Sequence, residues 1–285
     1  MRRKHRLKEL TIKDNFMFGA VMMDENNCKG LLERVLEIPI DRVEVSREKS
    51  IVYHPEYKGV RLDVYAKDEC QSHYNVEMQV KRKVALGKRS RYYQSQMDME
   101  LLLSGEDYSE LPDTYVIFIC DFDPFEEGKY RYIFKMNCEE SGQTNLEDGR
   151  TIVFLNTHGK NESEVPKELV TFLKYVKADL AGSEEAFDDS YVEQLQNFIC
   201  KIKGSREMEE RFMIFEEMLK EEREEGREEG RSVLKETLLL CLQSFGEIPD
   251  EVLEQIQAQQ DMEVLKNWMQ TAFQSKTLEE FVQKM

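Results

Sequence analysis

The stretch HYNVEMQVKRK, residues 73–83, decides the fold. From Tyr74 to Val80 every second side chain is apolar or aromatic, and the positions between them carry Asn, Glu and Gln. Such strict period-two alternation is typical of a β-strand with one buried face. We therefore expect a half-buried strand with its apolar side chains on the buried face.

Two further strand patterns precede this stretch. Residues 43–53 (VEVSREKSIVY) and 60–66 (VRLDVYA) alternate in the same way, and the His-Pro-Glu sequence at 54–56 interrupts them. If the strand at 60–66 pairs with the strand at 73–80 as a hairpin, Asp63 lies opposite Glu77, because neighbouring strands are ~4.8 Å apart. Gln79 then projects from the same face as Glu77, since residues two apart on a strand point the same way.

Asp63 and Glu77 are candidate metal ligands. Two carboxylates at this separation repel each other unless a divalent cation lies between them. Oxygen ligands favour Mg²⁺ or Mn²⁺, and Mg²⁺ typically takes only one or two protein carboxylates. Such an ion can activate a water molecule and polarise a phosphodiester. The alternative is that these polar residues form the ordinary solvent face of an antiparallel strand.

A cluster of basic residues follows the acidic pair. Six basic side chains occur within residues 81–91, and two tyrosines come next: Lys81, Arg82, Lys83, Lys88, Arg89 and Arg91, then Tyr92 and Tyr93. Positive charge and aromatic rings beside an acidic site are typical of phosphodiester chemistry on DNA. The candidate DNA-binding residues are Lys83, Lys88, Arg89, Arg91 and Tyr93. The alternative is a solvated charge cluster at the start of a helix.

The remaining elements follow from periodicity. Helices are predicted after Asp14, before Pro39 and over residues 88–103, and a fully apolar strand over residues 115–120. Residues 130–136 and 151–155 are expected to be strands. Beyond Pro166 the pattern is helical throughout, with a long charged helix or coil at 206–235. We place a domain boundary between residues 165 and 166, giving regions 1–165 and 166–285.

Composition excludes several classes of protein. The longest apolar run, residues 115–120, is far shorter than the ~20 residues of a membrane span. The six cysteines are scattered without a Cys-x-x-Cys pair, and no apolar stretch follows the basic N-terminus, so we expect reduced thiols and a cytoplasmic protein. The net charge of −17 disfavours non-specific nucleic-acid binding unless the charge is segregated along the chain.

The sequence resembles the PD-(D/E)XK nuclease superfamily. Asp63, followed after thirteen residues by Glu-Met-Gln at 77–79, matches its acidic motif. The phrases NVEMQV and KRSRYY, the stretch at 105–122 and the early KDNFMF resemble the Rpn family of recombination-promoting nucleases, also described as transposases. The resemblance covers roughly residues 10–160. It implies an α/β, restriction-endonuclease-like core (helix, three strands, helix, strand) followed by an all-helical C-terminal extension.

The resemblance further implies a metal-dependent endonuclease that cuts double-stranded DNA. Asp63 and Glu77 would hold Mg²⁺, or Mn²⁺, and Gln79 would occupy the position of the motif's usual lysine. Glutamine can form hydrogen bonds but carries no charge, so our hypothesis is that Lys81 supplies the missing positive charge. Leu62 stands where the motif usually has proline. An acid from the first helical region often completes such sites, and the candidates here are Glu33 and Asp14.

Two copies of a single-site nuclease suit a double-strand cut, so we expect a homo-oligomer formed through the C-terminal helices, with no membrane partner. Two alternatives remain open. One is a catalytically inactive DNA- or protein-binding member of the same fold, which Gln79 and the negative net charge favour. The other is a coiled-coil interaction protein with a passive α/β head.

Overall fold

A computed structural model describes residues 6–51 and 60–285. The predicted break at 54–56 lies outside the described residues. The chain forms two compact units, Met1–Glu209 and Glu210–Met285. The first unit extends beyond the boundary expected after residue 165, because its last two helices pack on its first two helices.

The first unit contains a mixed β-sheet, which has six strands in the part of the chain that the structure describes. The sheet order is β1-β2-β3-β4-β6-β5. Neighbours β3–β4 and β4–β6 run parallel, and the other pairs are antiparallel. The strands are β1 (Val43–Ile51), β2 (Val60–Asp68), β3 (His73–Gln79), β4 (Thr114–Cys120), β5 (Arg131–Phe134) and β6 (Arg150–Asn156).

Helices cover both faces of this sheet. They are α1 (Asn15–Met22), α2 (Glu25–Leu36), α3 (Leu86–Leu101), α4 (Lys167–Lys177) and α5 (Ser190–Gly204). Helix α3 is the crossover that parallel strands β3 and β4 require, and its apolar side packs on β4. Helices α1 and α2 contact β1 and β2, and α4 and α5 pack behind them. The predicted order of helix, three strands, helix and strand is confirmed, and β4 is central as expected.

Strand β3 differs from its prediction in one respect. All seven of its residues are buried, including Asn75, Glu77 and Gln79 on the polar face. The expectation of a half-buried strand is wrong, because a strand inside a sheet that helices cover on both faces has no solvent side. The polar side chains of β3 are therefore held in the interior, where each must find a partner or remain unsatisfied.

The second unit is helical. The charged segment at 206–235 lies in one continuous helix, α6 (Arg206–Gln243), which begins in the last residues of the first unit. Helices α7 (Asp250–Ala258), α8 (Met262–Gln274) and α9 (Leu278–Lys284) follow. Their apolar faces form a small core with the end of α6, built around Leu238, Leu242, Ile256 and Phe281. Along residues 6–51 and 60–285, we find no helix that combines the length and apolar character of a membrane span.

Candidate active site

The candidate site lies where strands β2 and β3 stop pairing. Their backbone register ends at Val64 opposite Val76, so Asp63 and Glu77 face each other one position further along. Beyond this point, two hydrogen bonds from backbone N–H groups to side-chain carboxylates replace the backbone ladder. The backbone N–H of Asp63 donates to Glu77 Oε1 at 3.3 Å, and the backbone N–H of Met78 donates to Asp63 Oδ2 at 3.3 Å. The two carboxylates therefore fill the opening between the strands, as the hairpin prediction required.

Burial makes this pair of carboxylates electrostatically unfavourable. Glu77 is 0% exposed, and burial followed by repulsion from Asp63 raises its pKa well above the usual carboxyl range. Burial also raises the pKa of Asp63, although the Met78 N–H and the nearby charges of Arg89, Lys83 and Arg61 oppose the increase. Each carboxylate thus lacks enough positive charge around it to offset its loss of water.

Arg89 provides positive charge from the first turn of α3. Its Nη2 donates to Glu77 Oε2 at 2.8 Å, and its Nη1 donates to Gln79 Oε1 at 3.1 Å. Its Nε donates to the hydroxyl of Tyr93 at 2.6 Å, and its guanidinium carbon lies 4.8 Å from the centre of the Tyr93 ring. Arg89 is therefore a fixed part of the site and bonds to two of the predicted motif positions.

The other residues predicted from the sequence fall into two groups. Gln79 lies in the site, 5% exposed, with its amide also donating to the Met78 carbonyl at 3.1 Å. The remaining basic residues lie on the surface beyond the end of β3 or along the start of α3: Lys81, Lys83, Lys88 and Arg91. Because β3 ends at Gln79, the strand alternation does not extend to Lys81.

Tyr93 does not have the environment of a base-stacking side chain. It is 7% exposed, and its ring stacks on Phe118 of β4 with a centroid separation of 6.3 Å. Its hydroxyl accepts the Nε–H of Arg89. As a correction to its expected DNA contact, Tyr93 lies beneath Arg89 and supports the guanidinium, because its position on the apolar side of α3 turns it toward the sheet.

The two acids proposed from the first helical region bond elsewhere. Asp14 occupies the N-cap position of α1, and its carboxylate accepts the backbone N–H of Thr11 at 2.6 Å. Glu33 accepts the backbone N–H of Ile40 at 3.2 Å. Within residues 6–51 and 60–285, no group of three or more His, Cys, Asp or Glu side chains has an arrangement that could hold a metal ion.

Sequence reasoning missed the roles of two residues. Asn75 is 0% exposed, and neither its Oδ1 nor its Nδ2 has a hydrogen-bond partner of good geometry among the described residues. The Asn75 side chain nevertheless lies close enough to Glu77 to lower the pKa of that carboxyl. Arg89 was expected on the DNA-binding surface. The signal for its position was helical spacing, since it lies on the same side of α3 as Leu86 and Tyr93, both buried.

The donor set of this site suits a divalent cation that binds oxygen. Two adjacent carboxylates are short of positive charge, a buried amide lies unsatisfied beside them, and Gln79 adds an amide oxygen. Mg²⁺ commonly uses one or two protein carboxylates and completes its coordination with water and phosphate. The chemistry of these oxygen donors therefore fits a hard divalent ion.

One protein-family model matches most of this chain. A family model described as PD-(D/E)XK nuclease family transposase matches residues 13–237. The matched range contains the whole sheet, the facing carboxylates and α3. Searches of curated proteins and of solved structures returned no match.

Replacing one facing carboxylate should stabilise the protein in the absence of metal. Both carboxyls hold a proton more tightly in the folded chain than in the unfolded one, so unfolding releases protons. Stability therefore falls as the pH rises from the unfolded carboxyl pKa of about 4 through the raised folded values. We expect Asp63→Asn to raise the free energy of unfolding by about 0.5–2 kcal/mol and to flatten this pH dependence.

The measurement is the free energy of unfolding in urea, with EDTA present, at about pH 5 and at about pH 8. The difference between the two values gives the pH dependence of stability. Glu139→Gln, which removes an exposed carboxylate of the same unit, is the matched control. Equal stability of Asp63→Asn and wild type at the higher pH would show that the two carboxylates do not repel each other.

Proposed function

The chain belongs to the PD-(D/E)XK nuclease transposase family, and from that premise we propose that it is a metal-dependent endonuclease acting on double-stranded DNA. Membership supports a nuclease-type function and DNA binding in general, and nucleases of this kind generally use divalent metal ions. The observation that carries the proposal is the pair of facing carboxylates, buried Glu77 and partly buried Asp63, at the point where β2 and β3 stop pairing. The recombination-promoting type follows from the family resemblance.

Asp63 and Glu77 would hold the cation, Mg²⁺ or alternatively Mn²⁺. When bound there, the ion supplies a Lewis acid for the phosphodiester and lowers the pKa of a bound water molecule. The protein contributes a fixed position for both carboxylates. The backbone N–H groups of Asp63 and Met78 hold one oxygen of each carboxylate, so both groups are oriented before substrate arrives.

Gln79 would act through hydrogen bonding, since it carries no charge. Its amide N–H donates to the Met78 carbonyl, and its Oε1 accepts from Arg89, so the side chain is held from both ends. A fixed amide at the motif's last position can orient a water molecule for attack on phosphorus. Stabilising the negative charge that develops on the phosphate requires a cation from elsewhere.

The exposed basic residues, Lys81, Lys83, Lys88 and Arg91, would bind the phosphate backbone of DNA. They lie beyond the end of β3 or in the first two turns of α3, and Lys83 is close enough to Asp63 to lower its pKa. The chain as a whole has 57 acidic residues against 40 basic ones. A locally basic surface on an acidic protein orients DNA by attracting it there and repelling it elsewhere.

Cleavage of supercoiled plasmid tests the proposed activity. We expect wild-type protein at low salt to nick or linearise the plasmid with Mg²⁺ or Mn²⁺ and to leave it intact in EDTA. Asp63→Ala and Glu77→Ala should each abolish cutting, because either change removes a metal ligand. Glu139→Ala, which removes an exposed carboxylate, should cut at the wild-type rate.

Three outcomes are distinct. Metal-dependent cutting that is lost in both site variants supports the nuclease and its site together. A wild-type protein that binds DNA without cutting it would instead be the inactive, DNA-binding member of the fold. Cutting that survives in both variants would place the reaction at a different site.

The basic surface should control DNA affinity and its salt dependence. Because each phosphate contact releases about one counterion from duplex DNA, we expect Lys88→Gln or Arg91→Gln to reduce the slope of log affinity against log salt by about 1. The measurement is fluorescence anisotropy of a labelled duplex in Ca²⁺ over a range of KCl concentrations. Lys135→Gln, an exposed lysine after β5, is the control. An unchanged slope in both surface variants would exclude this surface as the DNA contact.

We also propose that the C-terminal helices form a homo-oligomer. Helix α6 has exposed apolar side chains at Met213, Ile214 and Met218 among its charged residues. We expect Ile214→Glu with Met218→Glu to lower the mass measured by light scattering, because burying these charges at an interface is unfavourable. Leu146→Glu, an exposed apolar residue of the first unit, is the control. A wild-type protein of monomer mass, or an unchanged oligomer in the variant, would contradict the proposal.

A further inference from the structure

We propose that Arg89 is the fixed cation of this site and that it supplies, from helix α3, the positive charge that the motif's lysine supplies from the strand. The inference rests on the proposed nuclease function and deepens it by naming a further residue of the site. It replaces the hypothesis that Lys81 has this role.

The need for a cation follows from Gln79. A neutral amide at the last motif position cannot offset the charge that develops on a phosphate during hydrolysis. Lys81 lies beyond the end of β3 and is exposed, whereas Arg89 bonds directly to Glu77 and Gln79 at 2.8 and 3.1 Å. Arg89 thus touches two of the three motif positions, and its charge also acts on the third, Asp63.

The guanidinium is held rigidly and still has capacity for substrate. The hydrogen bonds described above use one N–H on each of its three nitrogens, whereas arginine has five N–H donors. The side chain is 26% exposed, so Arg89 remains partly open to solvent while its guanidinium holds Glu77 and Gln79. An arginine fixed in this way can donate two parallel hydrogen bonds to the oxygens of a phosphate.

The same position gives Arg89 a measurable effect on metal binding. A positive charge 2.8 Å from an oxygen of Glu77 opposes a second cation at that carboxylate. Removing the charge while keeping a hydrogen-bond donor should therefore tighten metal binding and at the same time slow cleavage. A purely structural ion pair predicts the opposite relation, because disordering Glu77 would weaken metal binding and cleavage together.

The experiment compares full-length wild type with Arg89→Gln and Arg89→Lys. Mn²⁺ affinity is measured by titration of the free-ion electron paramagnetic resonance signal, and kcat and KM are measured on a duplex substrate. We expect Arg89→Gln to bind Mn²⁺ more tightly than wild type and to lose about 10²-fold in kcat, the usual effect of removing a group that stabilises transition-state charge. Arg89→Lys should recover part of kcat and return Mn²⁺ affinity toward the wild-type value, because it keeps the charge but not the planar geometry.

Arg91→Gln is the matched control, since Arg91 lies two residues further along α3 and is exposed. We expect it to raise KM without changing Mn²⁺ affinity. Wild-type kcat in Arg89→Gln, or weaker Mn²⁺ binding together with slower cleavage, overturns the proposal for Arg89 while the nuclease function stands. A wild-type protein that neither binds Mn²⁺ nor cuts DNA overturns both.

A second variant decides the question if Arg89→Gln does not fold. Tyr93→Phe removes the hydroxyl that accepts the Nε–H of Arg89 and leaves the arginine charge in place. We expect a lower kcat with an unchanged KM, because the guanidinium loses its support but the DNA-binding surface is intact. An unchanged kcat in Tyr93→Phe would contradict the proposal.

Discussion

The site depends on one feature of the sheet, which is that the backbone pairing of β2 with β3 stops short of the end of β3. Backbone pairing ends at Val64 and Val76, and the next two side chains are both carboxylates. Each accepts a backbone N–H from the opposite strand, so the sheet remains satisfied where the ladder stops. The fold obtains this continuity by holding two carboxyl groups side by side with little access to water, which disfavours their charged forms.

Two neighbouring side chains, Arg89 and Asn75, stabilise the charged form of Glu77. The proposed metal ion would do the same for both carboxylates. Arg89 bonds to Glu77 directly, and Asn75 lies beside it with its amide otherwise unsatisfied. A buried polar group without a partner costs about 1–3 kcal/mol, and a buried charge costs more unless it is paired. Buried polar groups and charges that lower the stability of the folded chain are typical of functional sites, because the same groups are positioned to bind a ligand or substrate.

The fold and the acidic pair could be predicted because both depend on local patterns. Period-two alternation located β2 and β3, and the hairpin between them placed Asp63 opposite Glu77. The position of Arg89 could not be predicted in the same way, since it depends on how α3 packs across the sheet. For the same reason Tyr93 was expected at the DNA surface but lies buried against Phe118. Strand alternation also ends at Gln79, which is why it could not place Lys81.

The central claim is that Asp63 and Glu77 share a divalent cation. The most direct test is a crystal structure of the full chain grown with Mn²⁺, using anomalous diffraction at the manganese absorption edge. The account predicts an anomalous peak within ~2.5 Å of carboxylate oxygens of both Asp63 and Glu77, and no such peak in crystals of Asp63→Ala. Saturating Mn²⁺ without a peak at these carboxylates, or a peak held by other residues, would contradict the account.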